Sequence, residues 1–175
     1  MEDKYYIGID LGKAGALVVL KNGRPHERIV MPKIGKELDL RGIYDFLAQY
    51  CTHDAHVVFE KVHGMFGLMK RAAVSLGLQT GYMEMACVAL NLPYTMVSPI
   101  SWQKVLFKDA KIQTKNKKTD EGKTKQVKDT KKTALLVAMR LFPKENFLAT
   151  KRSKVPHDGI VDGYLLAEYG KRKGL

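Results

Sequence analysis

Asp158 and Asp162, in the stretch VPHDGIVDGYLLAEYG, lie four residues apart and so share one face of any helix they occupy, a face continued by Leu165, Leu166 and Tyr169. A buried carboxylate without a partner is costly, because charge leaving water must be neutralised or met by opposite charge. The stripe therefore predicts something cationic against it. Two further acids end apolar runs: Asp10 closes YYIGID and Glu60 closes AHVVFE, and Gly8 and Gly12, flanking Asp10 on one face, predict open space beside it. Each of three acids has an ordinary reading. Asp10 would cap a turn or pair with a lysine, Glu60 would pair with Lys61, and Asp158 would cap its helix, where the dipole favours acids. Asp162, a full turn inside the helix on the apolar stripe, resists such an account. Gathered together, carboxylates about 4 Å apart repel by roughly 4 kcal/mol at an effective dielectric of 20, so a cluster of four needs cations. Oxygen-only ligands favour hard ions, Mg2+ with Mn2+ as a substitute. Two such ions per site can activate water on one side of a phosphodiester and stabilise the leaving oxygen on the other.

The net charge of +12 and pI near 9.6 point to a polyanionic partner, nucleic acid above all. Residues 108–132 hold ten lysines against four acids, a net of +6 and half of the total. At 175 residues and 45% hydrophobic content the chain fits a single domain over 1–175, with a basic flexible loop at about 108–127. Cys51 and Cys87 form no CxxC and no Cys/His ligand spacing, which predicts reduced thiols, argues against zinc and places the protein in the cytoplasm. The opening MEDKYYIGID carries acids where a signal peptide carries bases, and no apolar run approaches the roughly 20 residues of a spanning helix, so no membrane partner is expected.

The elements that must position these acids follow from hydrophobic spacing. Strands are predicted at 6–11, 16–20 and 27–31 as an antiparallel meander, then a helix over 40–51, a buried strand over 55–60, a helix from 68 to 90 and a fifth strand at 93–97. SPISWQKVLF predicts a short helix with Ser98 as N-cap and Pro99 at its first position. Two more helices are expected over about 125–142 and 157–170. The fold class is α/β, a mixed five-stranded sheet flanked by helices. Were the first and fourth strands parallel neighbours, Asp10 and Glu60 would meet at one sheet edge, where open α/β sheets bind ligands.

In this order and spacing, GIDLGKAGAL, VVFEKVHG, SLGLQTGYMEMACVALNLPYTMVSPISWQKVL and HDGIVDGYLLAEYG resemble the RuvC-like Holliday junction resolvases, particularly the phage-type members, over nearly the whole chain. The resemblance implies a ribonuclease H-like fold, a homodimer, two-metal catalysis, no nucleotide cofactor, and paired symmetric nicks in four-way DNA. It implies host cytoplasm as the location for a phage-encoded chain. The family's metal-binding acids fall on Asp10, Glu60 and a C-terminal pair for which Asp158 and Asp162 are the candidates. One common pattern has the C-terminal acids three apart, and here that position is Gly159, so His157 stands beside Asp158 as the alternative ligand. The corresponding family loop enters the junction centre, which makes Phe66, with Met65 and Met69 behind it, candidates for stacking on a splayed base. Lys70 and Arg71 would touch phosphate, as would Lys104 beside Trp102, itself expected in the core.

Lys128, Lys131 and Lys132 are candidates for contacts near the scissile phosphate, at the end of a flap that orders on DNA. Gly77 and Gly81 permit close helix approach, with Leu78 and Met85 expected against the sheet and part of the helix, by resemblance, at the dimer interface. Three alternatives remain at this level: a ribonuclease H-like RNA-processing nuclease, a non-catalytic branched-DNA-binding protein, and an actin-like ATPase suggested by IGIDLG, for which the chain is too short.

Overall fold

Strands β1 (Lys4–Asp10), β2 (Ala16–Lys21) and β3 (Arg24–Val30) form the antiparallel meander, in a computed structural model that describes residues 3–61, 70–118 and 123–175. The β2–β3 turn is tighter than the sequence suggests. Asn22 and Gly23 both take positive φ, 52° and 76°, the two-residue geometry that suits strand twist. Strand β3 therefore begins at Arg24 and tolerates Pro25 because it is an edge strand. A small ribbon of β4 (Lys33–Ile34) and β5 (Glu37–Leu38) follows, then α1 (Leu40–Ala48), capped by Asp39, which accepts from the Gly42 N–H.

Strand β6 (Asp54–Glu60) pairs in parallel with β1, α2 spans Lys70–Ala89, and β7 (Tyr94–Val97) pairs in parallel with β6. The sheet order is β3-β2-β1-β6-β7, the mixed five-stranded sheet expected. Helix α3 (Pro99–Leu106) starts at the Ser98 cap with proline in its first turn. Helices α4 (Thr130–Leu141) and α5 (Asp158–Lys173) complete the chain. Among the described residues no helix is long and apolar enough to cross a membrane, and Cys51 and Cys87 are both free.

Strand alternation divides the core into two layers. Tyr5, Ile7, Ile9, Leu17, Val57 and Phe59 face α1 and α2, whereas Tyr6, Val18, Leu20 and Val58 face α3, α4 and α5. Three further expectations change. The lysine-rich segment expected as a loop contains an antiparallel hairpin, β8 (Thr114–Lys118) and β9 (Thr124–Lys128). Helix α4 consequently starts at Thr130 instead of about 125, with Asp129 as its cap, because residues 124–128 belong to the hairpin. Third, Leu78 and Met85 do not lie against the sheet; they are 51% and 59% exposed on the outer face of α2. TKNKK and TKQVK hold a single apolar residue between them, Val127, so neither strand of the hairpin announces itself in the pattern.

Candidate active site

The parallel register of β1 and β6 aligns Ile9 with Phe59, which sets Asp10 beside Glu60 at the ends of adjacent strands. Both follow the alternation that faces α5. Helix α5 crosses this face at backbone contact distance. A Cβ added at Gly8 would sit 2.0 Å from the Gly163 carbonyl oxygen and 2.4 Å from the Ala167 nitrogen, and one at Gly159 would sit 2.7 Å from the Gly15 Cα. The space at Gly8 is thus not open, as its neighbours in sequence suggested, but filled by helix backbone. That close approach brings Asp162, one residue before Gly163, over the strand end.

The electrostatics record the result. Asp10 is pushed up from 3.8 to about 7, first by burial and then by the charges of Glu60 and Asp158, against the opposing Lys131. Asp162 is pushed up to about 8 by burial, followed by Asp10, Glu60 and Asp158. Burial raises Glu60 as well, offset by the hydrogen bond it accepts from Trp102 Nε1 at 2.7 Å. Glu168, further along the same helix, shows what a purely structural buried acid requires: it accepts from Arg172 at 2.9 Å and from Lys171 at 3.4 Å. No comparable cation bonds Asp162 among the described residues.

Asp158 departs from the buried stripe. Its side chain is 59% exposed and binds Lys131 Nζ at 2.5 Å. Part of the expected cation is therefore a lysine of the chain itself, which also draws down both Asp10 and Asp162. His157 caps α5, its Nδ1 accepting from the Ile160 N–H at 3.3 Å. That bond commits one ring nitrogen to the helix start.

Whether these residues suit divalent cations follows from the donors. The oxygens are hard, and the negative charge at Asp10 and Asp162 is raised in energy by burial and by its neighbours, so a cation is what the cluster lacks. Among the described residues, however, no three His, Cys, Asp or Glu side chains converge as a formed metal site does. Lys131 occupies the Asp158 carboxylate instead.

Of the other expected contacts, Lys131 lies in the carboxylate cluster, Lys104 and Lys128 line one concavity beside α3, and Lys132 is exposed in the first turn of α4. Met65, Phe66 and Met69 lie outside the described residues, as do the side chains of Lys70 and Arg71. Two features escaped sequence reasoning. Trp102 is buried as expected, but its indole N–H also orients Glu60, a role visible only through the β6–β7 register that sets Val97, five residues before Trp102, beside Glu60. Lys151, Arg152 and Lys154 are exposed in the segment that leads into Asp158; the run TKRSK was their signal.

No family model and no curated protein matches the sequence. Solved structures do match. A Thermus thermophilus RuvC in complex with Holliday junction substrate superimposes with a TM-score of 0.60 at 14% identity, covering 98% of this chain and 96% of that one. The Thermus thermophilus RuvC structure also gives 0.60, at 15% identity over 97% and 96%. The chain has a RuvC-like fold. In that RuvC-like frame Asp10 and Glu60 occupy the ends of the central parallel strands, and α5 supplies Asp162 across them.

Proposed function

We propose that this protein is a structure-selective DNA endonuclease that resolves four-way junctions, with other branched DNA as further substrates, by paired symmetric nicks. The observation that carries the reading is the meeting of Asp10, Glu60 and Asp162 on one sheet face within a RuvC-like fold. Asp10, Glu60, Asp162 and Asp158 are the residues that would hold two Mg2+ ions, with Mn2+ as substitute. When bound, the ions would supply water activation and leaving-group stabilisation.

The chain's own contributions are separable. Trp102 fixes the Glu60 carboxylate, the Gly8–Gly163 contact fixes Asp162, and Lys131 neutralises Asp158 until a substrate phosphate competes for its ammonium. The lysines of β8 and β9 and the exposed 151–154 segment supply cations on the surface around the site. A homodimer would form through α2, whose outer face exposes Val74, Leu78, Tyr82, Met85 and Val88, with open space at Gly77 and Gly81. Such an apolar stripe is the usual mark of a protein contact.

The test is cleavage of a labelled synthetic four-way junction beside duplex DNA and an RNA/DNA hybrid, in Mg2+ or EDTA, with wild type and Asp162→Asn. Symmetric, metal-dependent nicks in the junction, lost in the variant while binding persists, are the expected result. Binding without cutting in any metal would replace the reading with a non-catalytic branched-DNA binder, and preferential cutting of the hybrid with an RNA-processing nuclease.

A further inference from the structure

Between α3, the β8–β9 hairpin and the start of α4 lies a concavity of about 400 Å3. Its apolar lining is Phe107, Ile112 and Ile100, and its charged lining is Lys104, Lys108 and Lys128, with no acid among the lining residues. Ile100 is 80% exposed and Ile112 40% exposed, so large aliphatic groups of the lining are held in water. An apolar lining whose charged members are all cationic suits a flat ring that carries anionic groups at its edge. A volume at the lower end of the roughly 300–1,000 Å3 of small-molecule sites matches one such unit.

The concavity is joined to the carboxylates by two short routes. Phe107 meets Trp102 edge to face at 5.6 Å, and Trp102 donates to Glu60. Lys128 and Thr130 flank Asp129, the cap of α4, and Lys131 in the next position holds Asp158. One surface of the α4 start thus faces the carboxylates and an adjacent one faces the concavity. A strand with its phosphate at the carboxylates would have a neighbouring nucleotide within reach of Phe107. Paired, stacked bases offer no free face to an aromatic ring, so the occupant must be unpaired.

We propose that this concavity binds one unpaired nucleotide of the strand adjacent to the cut, its base against Phe107 and its phosphates between Lys104, Lys108 and Lys128. The proposal rests on the nuclease reading and adds to it a single-strand subsite that makes the enzyme sense local melting beside the cleaved bond.

Binding measured without divalent metal separates this proposal from catalysis. A short oligothymidylate and a duplex of the same length serve as probes, and emission from the sole tryptophan, Trp102, reports occupancy beside Phe107. Oligothymidylate is expected to quench that emission in the wild type. Phe107→Leu, which keeps apolar volume beside Trp102, should weaken oligothymidylate binding about tenfold, within the range of one lost base stack, and leave duplex binding unchanged. Lys104→Gln with Lys128→Gln should lower the single-strand salt slope by about 0.7 for each lysine. Unchanged oligothymidylate affinity in Phe107→Leu, or an equal loss for duplex, overturns the subsite even where the wild type cuts junctions. Selective loss in a protein that cuts nothing keeps the subsite and sinks the nuclease.

Discussion

Asp10 and Asp162 hold protons that free aspartates would have released, and this has a consequence for stability. The usual carboxyl value is 3.8, against about 7 for Asp10 and about 8 for Asp162 in the folded chain. Between those limits the folded state binds more protons than the unfolded one, so stability present at acid pH is lost as pH rises through the folded values. The metal-free protein should therefore melt at lower temperature at pH 8.5 than at pH 5.5, and Mg2+ should recover most of the difference. Asp10→Asn and Asp162→Asn should each raise the metal-free melting temperature at pH 8.5 by at least about 2–4 °C, the effect of one kcal/mol in a chain of this size. The gain should vanish toward pH 4. Thermal melts across pH measure both, and melting temperatures that fall in these variants at pH 8.5 would show that the carboxylates are not strained.

At the scale of elements, the decisive contact is α5 on β1. An added methyl at Gly8 meets backbone atoms of Gly163 and Ala167, which cannot rotate away as a side chain could. Gly8→Ala should lose at least the roughly 1–3 kcal/mol of ordinary overpacking, read as a lower urea midpoint, and should lift Asp162 away from Asp10. The second element with a testable role is α2. Replacing Leu78 and Met85 together by Glu should give monomers by sedimentation and convert paired nicks into independent single nicks. A wild type that is monomeric at micromolar concentration would remove α2 as an interface.

Charge acts at the scale of the whole molecule. With +12 overall and half of it in residues 108–132, junction binding that uses about six phosphate contacts should fall by roughly 10³ between 50 and 200 mM salt. Replacing Lys115, Lys117 and Lys125 of the hairpin by Gln should flatten the slope of log affinity against log salt by about 0.9 for each residue that touches phosphate. An unchanged slope would place the hairpin away from DNA.

The two-residue strands β4 and β5 are too short to show a period, whereas the order of the five sheet strands and of α1 to α3, the acids at the ends of β1 and β6, and the oddity of Asp162 were legible in the sequence. Those are matters of period and of local caps, which neighbouring residues decide. Ser98 before Pro99 marked a helix start, for example, and Asn22–Gly23 a turn, although its true width had to await the strand pairing. Long-range packing, by contrast, sets α5 into the space beside Gly8, Lys131 onto Asp158, Trp102 against Glu60, and Lys104 and Lys128 around one concavity with Phe107. Each of those brings together segments at least twenty positions apart, and no local preference encodes which distant partner a side chain meets. That choice is made by sheet register and by the close passage of a glycine-faced helix.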